Sequence, residues 1–415
     1  MTSMPDLSLR RARAATAALF FTNGALFANL LPRYPEIKAD LGLTNGQFGL
    51  AVAGFPIGAM VAGLAAGVLI RRIGSDRLAV AATLLAALGQ LAAGVAPVGV
   101  LLGAGLLLAG AMDALADVAQ NSQGLRVQQG YGRSILNSLH AIWSVGAVVG
   151  GALGAVAAEA ALPRGLHLGA SAVLFGTVAL LAHRWMLHDP EPTEPAEPAR
   201  GTGPRTGQRS PAGRLRVYGI LAALVLVGGA GGVIEDSGNS WSAIYLTDAL
   251  GTSAFVAGTG FIALQGMQCL GRFLGDGLVD RFGQRAVART GGLVAFLGMG
   301  SALLVPTLPG TLVGFGLAGL GIATLIPAAM HGADALPGLA PGTGLTLVSW
   351  LLRLGFLLSP PVVGAVADAA SLRAGLLVVP LAGLVVVVAA GVLSGRTARP
   401  VVGARVPEVV GSHRG

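Results

Sequence analysis

Charge is scarce in this chain. Asp, Glu, Lys and Arg make up 11% of its 415 residues, against about 25% in a soluble domain. With 53% hydrophobic residues and a mean hydropathy of +0.73, that scarcity excludes an ordinary soluble protein and places the chain in the membrane class. Cysteine is nearly absent. Cys269 alone, in an apolar stretch, excludes a disulfide framework and reads as a small core residue. Lysine is nearly absent too, since Lys38 stands against twenty-six arginines, a bias that fits a GC-rich genome and carries no chemistry. A net charge of +8 on a soluble protein would suggest nucleic acid. Here the arginines sit at the ends of apolar runs, so no nucleic-acid partner is expected. P-loops, Gly-x-Ser-x-Gly elbows and metal-ligand spacings are also missing. Neither ATP use, nor catalysis, nor a cofactor or metal is expected.

What the chain has in abundance is glycine, 65 residues spread through apolar runs without a three-residue period. That excludes collagen and suits closely packed membrane helices. Runs of the length needed to cross a bilayer, roughly 20 apolar residues, occur twelve times, near 14–31, 47–70, 78–96, 98–120, 134–157, 166–187, 216–246, 253–278, 286–306, 310–330, 344–367 and 374–394. Arg10, Arg11 and Arg13 before the first run resemble a signal peptide, but eleven further runs favour an uncleaved helix. With the N-terminus inside, 21 of the 27 Lys and Arg fall on the cytoplasmic side and four on the other (Arg33, Lys38, Arg164, Arg373). The expectation is a multi-pass protein of the cytoplasmic (inner) membrane, both termini cytoplasmic, surrounded by lipid and monomeric.

Between the sixth and seventh runs lies "HDPEPTEPAEPARGTGPRTGQRSPAGR", whose proline, glycine and charge read as a linker. The expected division is a six-helix bundle over 1–188, a cytoplasmic linker over 189–213, a second six-helix bundle over 214–396 and a cytoplasmic tail over 397–415. The halves echo each other: "GVLIRRIGSDR" follows the second run and "GDGLVDRFGQR" the eighth. Parallel six-helix repeats with a site at their interface are a transporter architecture.

On these features the chain resembles the major facilitator superfamily along its full length. The family's loop signature, approximately G-x-x-x-D-R-x-G-R-R, is matched after the eighth run by Asp280, Arg281, Gly283 and Arg285. After the second run Gly67, Arg72, Gly74 and Arg77 fit, but Arg71 stands where the acidic residue belongs. The resemblance implies that these loops latch the cytoplasmic ends of the halves. "SVGAVVGGALG" (144–154) is similar to the family exporters' glycine signature without its proline, and "GFLLSPPVVG" sits at the matching place in the eleventh run. "DALADVAQNSQG", "YGRSILNSLHAIWSVG" and "WSAIYLTDALG" look like a bacterial subgroup of inner-membrane permeases. The implied fold is all-α, with twelve transmembrane helices in two pseudo-symmetric six-helix bundles.

The polar residues inside the runs are the candidate site. In "GAMDALADVAQNSQG" (110–124), Asp113, Asp117, Gln120 and Gly124 fall within a sector of ~60° on a helix, with Asn121 at its edge. An ionised Asp at mid-bilayer costs at least ~2.5–3.5 kcal/mol, so both must be paired, protonated or beside water. Asp117 reads either as a structural partner of Arg126 or Arg133, or as a proton-coupling carboxylate with Asp113. In "GGAGGVIEDSGNSW" (228–241) the glycines suggest a weakened, discontinuous helix. Glu235 is the expected proton-coupling partner there, with Asp236, Asn239 and Trp241 as substrate contacts; Asp236 also reads as a helix-end residue.

Asn137, His140 and Trp143 of the fifth run and Trp350 and Arg353 of the eleventh complete the expected pocket, with Asn23, Gln265 and Gln268 as cavity lining or helix–helix contacts. His140, whose ring titrates near neutrality, reads equally as a proton carrier or an interhelical hydrogen bond. Arg353 needs either an acidic partner (Glu235, Asp236 or Asp334) or an anionic substrate. His331 and Asp334 read as loop residues after the tenth run, and His167, His183 and His188 as interfacial. The implied activity is proton-coupled export of a drug-like or metabolite substrate by alternating access. The alternatives are proton-coupled uptake of a sugar-like or acidic metabolite and, from another class, a transport-dead membrane sensor.

Overall fold

A computed structural model describes residues 7–132, 135–188, 211–334, 336, 339 and 343–395. The expected tail (397–415), Arg133 and all but the last three residues of the expected linker lie outside these; 211–213 belong to the helix Pro211–Leu250. Among the described residues, twelve helices are long and apolar enough to cross a membrane, and we number them as spans one to twelve: Leu7–Asp40, Asn45–Gly63, Ser75–Gly94, Gly99–Tyr131, Leu136–Glu159, Arg164–His183, Leu215–Leu250, Ala254–Phe282, Gln284–Leu304, Leu308–Asp334, Thr343–Ala369 and Leu372–Val392. The lipid-facing sides are apolar, with Val61, Leu64, Val100, Val173 and Phe273 well exposed outside the bundle. Backbone groups in such a setting must be satisfied within the segment, which is why every crossing is helical.

Span one begins and span twelve ends on one face of the molecule, termed the near face; the opposite one is the far face. Glycines set how closely the spans approach. Gly146, Gly150 and Gly154 of span five lie at i, i+4 and i+8, each against a backbone carbonyl of span one: Phe21, Ala25 and Asn29 respectively. A side chain at any of them would drive the helices apart. Gly58 and Gly110 do the same between spans two and four.

Span seven corrects one expectation. The helix Pro211–Leu250 is unbroken through Gly228–Gly232. These glycines instead accommodate neighbours: Gly228 meets Leu352 and Ala329, and Gly232 meets the Phe356 ring. The interruptions fall in span one at Leu30, in span two at Ala53, in span ten at Ala323–Thr324, in span eleven at Leu352 and in span twelve at Leu376–Leu377. His331 and Asp334 are also corrected, since they belong to the helix Leu325–Asp334 and not to a loop.

The two repeat loops share a backbone device. The helix ending at Ile73 is capped by Gly74 (φ 88°, ψ 150°), and the one ending at Phe282 by Gly283 (φ 84°, ψ 153°). Only glycine adopts this conformation without strain, so the glycine of each signature is fixed by the turn.

The halves meet at the far face and diverge toward the near one. The largest buried apolar cluster joins Leu31, Tyr34 and Phe48 of the first half to Trp241, Tyr245 and Phe261 of the second. Phe48 and Trp241 pack edge to face with centroids 5.7 Å apart. Two carboxylates cross the junction onto helix N-termini. Asp368, ending span eleven, accepts from the backbone N–H groups of Asn45 and Gly46, both at 2.8 Å. Glu159, ending span five, accepts from the backbone N–H of Phe255 at 2.8 Å. Spans two and eight, and five and eleven, occupy corresponding places in the two halves, so these clasps are related by the pseudo-twofold axis. Lys38 and Asp248 add an ion pair at 3.3 Å.

Candidate transport cavity

Between the halves, on the near-face side of the closure, lies a cavity of about 650 Å³. Asp113 and Asp117 of span four and His140 and Trp143 of span five line one wall. Glu235 of span seven, Arg272 of span eight and Trp350 and Arg353 of span eleven line the other. A pocket of this size accommodates a small molecule.

The first wall is held by one hydrogen-bonded relay. The Trp143 indole N–H donates to Asn23 Oδ1 at 2.6 Å, and Asn23 Nδ2 donates to Asp113 Oδ1 at 2.8 Å. Both polar atoms of Asn23 are thereby engaged, so Asn23 joins spans one, four and five as it lines the cavity. One turn toward the near face, Asp117 accepts from Asn121 Nδ2 at 3.0 Å and from Gln120 Nε2 at 3.4 Å. Asn121 Oδ1 lies 3.2 Å from His140 Nε2, and His140 packs edge to face on Phe20 at 5.1 Å. The expected Arg126 partner instead donates to the Leu187 carbonyl at 3.3 Å.

The second wall differs in kind. Among the described residues, neither Arg272 nor Arg353 forms an ion pair or a hydrogen bond, and Glu235, Asp236 and Asp334 do not pair with Arg353. The two guanidiniums thus face a wall carrying two carboxylates across open space, Arg353 interacting with Asp117 through space and without contact. An uncompensated charge inside a membrane protein persists where water or a ligand reaches it. Arg272 is the residue that sequence reasoning passed over. The signal was present, because Arg272 and Arg353 lie well inside their apolar runs, whereas the other basic residues gather toward run ends.

Other expected contacts lie elsewhere. Asp236 and Asn239 line a separate small cavity of about 30 Å³ with Tyr34 and Gln90, farther toward the far face. Asp236 Oδ2 and Asn239 Oδ1 lack hydrogen-bond partners among the described residues, and the Ser359 hydroxyl lies 2.9 Å from that of Ser237. Phe27 separates the two cavities, at 5.6 Å from the Phe55 ring and 6.1 Å from Trp143. Trp241 is fully buried in the far-face closure. Gln265 and Gln268 are buried outside the cavity lining, and Asn137 is exposed outside it. At the near face Arg72, Arg77, Asp280 and Arg281 make no cross-half ion pair among the described residues, and Arg285 donates to the Leu393 carbonyl at 3.0 Å. The latch expected of these loops is thus not engaged in this conformation; the engaged clasps are at the far face.

Of the three histidines expected at span ends, His183 and His188 lie at the near-face end of span six and His167 departs by being buried. His167 is buried, 2.9 Å from Asn29 Oδ1 and 3.4 Å from Arg33 Nε, inside the first half. His183 and His188 converge on Asp76.

The family model of the Major Facilitator Superfamily matches residues 16–235. The uncharacterized transporter y4wD of Sinorhizobium fredii is 31% identical over 88% of this chain and 93% of its own length. The chain belongs to the Major Facilitator Superfamily. It is a multi-pass membrane transporter of that family, with twelve helices in two six-helix bundles. Among solved structures, a variant of the nucleoside transporter NupG superposes with a TM-score of 0.71 at 14% identity, covering 92% of this chain and 98% of that one. A D-xylose–proton symporter superposes with a TM-score of 0.65 at 15% identity, covering 93% and 97%. At these identities the likeness establishes the facilitator fold and leaves the substrate open.

Proposed function

We propose that this facilitator-family chain is a proton-coupled exporter of a small metabolite that carries an anionic group. Its division is a bundle over 1–188, a linker from 189 up to the helix that begins at Pro211, a bundle from that helix to 396 and a tail over 397–415, with the near face cytoplasmic. The observation that carries the reading is the cavity itself: Asp113 and Asp117 on one wall face Glu235, Arg272 and Arg353 on the other across about 650 Å³. Arg272 and Arg353 take the anionic group of the substrate, a role suited to planar five-donor guanidiniums. Asp113 and Asp117 carry the coupling proton, with His140 linked to Asp117 through Asn121 and Glu235 contributing from the other half. Open toward the near face, the cavity loads from the cytoplasm. Closure there, with release of the far-face clasps, delivers the substrate outside, and a proton returning through Asp117 resets the cycle.

Export is favoured by the span-five glycine pattern. Uptake by proton symport is the second reading, favoured by the fold's likeness to a D-xylose–proton symporter. The experiment compares spent medium from cells producing the wild type with medium from an Asp117→Asn strain by untargeted mass spectrometry. A compound enriched outside wild-type cells alone supports export and supplies the substrate. A compound depleted by the wild type alone replaces export with uptake. Equal exchange of the same compound by both strains sinks the coupling role of Asp117.

A further inference from the structure

A second cluster of ligating side chains lies outside the transport cavity, on the near face of the first half. Asp76 stands in the first turn of span three and is 6% exposed. His183 ends span six, and His188 follows five residues later. His188 Nδ1 lies 2.7 Å from Asp76 Oδ2, and His183 Nδ1 lies 3.8 Å from the same oxygen. One ligand atom from each of the three residues falls within 4.8 Å of the others. Ligand atoms around a tetrahedral zinc, each at about 2.0–2.1 Å from the metal, are about 3.3 Å apart. The two observed oxygen–nitrogen separations bracket that spacing.

The donors are also held in place before any ion arrives. Gln123 Nε2 of span four donates to Ser75 Oγ at 2.7 Å and to the Leu187 carbonyl at 3.0 Å, fixing the neighbours of Asp76 and His188. Arg126 donates to that same carbonyl. A second observation points to a ligand: His183 Nδ1 is buried and has no hydrogen-bond partner among the described residues. An orphaned imidazole nitrogen beside a carboxylate already shared by another imidazole is a ligand set lacking its centre.

We propose that Asp76, His183 and His188 bind a divalent transition-metal ion of the zinc, nickel or cobalt class. Two imidazoles and one carboxylate suit these borderline ions and leave coordination positions for water. On binding, the metal takes the place of the proton between Asp76 and His188, and His183 turns in to join it. Access is through His188, half of whose side chain is solvent-exposed. The ion would staple the start of span three, next to the Arg71–Gly74 loop, to the end of span six. It acts as a clamp on the near face and not as transported cargo.

The test uses full-length protein in detergent, purified through a tag without histidines and stripped with a chelator. Zn²⁺ is titrated calorimetrically, and Co²⁺ by its visible absorption. The expected result is one equivalent bound, with the intense visible bands of low-coordinate cobalt. Binding should weaken at least about tenfold in Asp76→Asn and in His188→Ala. The melting temperature of metal-free His188→Ala, whose native side chain is half exposed, checks that this variant is folded before its binding is compared. Absence of binding by the wild type would overturn the proposal, and so would equal binding by both variants.

Discussion

At the scale of single residues, the arginines decide what the cavity accepts. Arg272 and Arg353 come from different helices, line one space and form neither a hydrogen bond nor a contact ion pair among the described residues, Arg353 reaching Asp117 only through space. A substrate anion therefore completes them. Arg353→Gln should raise the apparent KM for the substrate at least about tenfold, the usual scale for losing a charge-assisted hydrogen bond. Arg353→Lys should recover only part of this, because an ammonium keeps the charge and loses the two-pronged geometry. Concentration-dependent transport into vesicles reads both; an unchanged KM in the glutamine variant would show that the anion is held elsewhere. Sequence reasoning reached Arg353 but not Arg272, and placed Asp236, Asn239 and Trp241 with the substrate. The reason is rotational. Periodicity assigns residues to a common helix face, and the Asp113–Asp117 stripe was legible that way. The rotation and depth of each face follow from packing against other helices, such as Trp241 on Phe48, which no single run encodes.

At the scale of elements, the span-five glycine pattern has a packing role independent of transport direction. Gly146, Gly150 and Gly154 let span five lie directly on the carbonyls of Phe21, Ala25 and Asn29. The same approach brings Trp143 within reach of Asn23, so the seam also sets the relay to Asp113. Gly150→Leu would insert a side chain where backbone already sits. Overpacking costs about 1–3 kcal/mol, and here rigid backbone limits relief. The expected outcome is a clear fall in the thermal midpoint of the purified protein together with lost transport. Val149→Leu, one position away and 37% exposed on the lipid side, should behave as wild type. Equal midpoints in the two variants would refute the seam. The pattern's presence was readable in the sequence, as was the number of spans. That span seven stays continuous was not, because glycine both weakens a helix and admits close neighbours, and only the neighbours reveal which effect prevails.

At the scale of the whole molecule, the pseudo-twofold axis links parts that sequence comparison treats separately. It relates Gly74 to Gly283, where similar backbone angles confirm the loop echo seen in the residues. It also relates the Asp368 clasp on span two to the Glu159 clasp on span eight, which no motif announced. A carboxylate on a helix N-terminus is stabilised by free N–H groups and by the helix dipole. Both clasps must break when the far face opens, so they bias the resting molecule toward the conformation described here. Replacing both with amides, Asp368→Asn with Glu159→Gln, removes the charge but keeps the shape. The population open at the far face should then rise. Cys269→Ser provides a cysteine-free background, into which Asn239→Cys places a reporter beneath the closure, where Asn239 is 7% exposed. An impermeant maleimide applied from the far side should label this reporter several-fold faster in the double amide variant than in the reporter background alone. Because one closure opens as the other shuts, labelling of a near-face reporter at Thr346→Cys should slow in parallel. If far-side labelling does not change, the clasps are incidental and the far face is held by the Phe48–Trp241 packing alone.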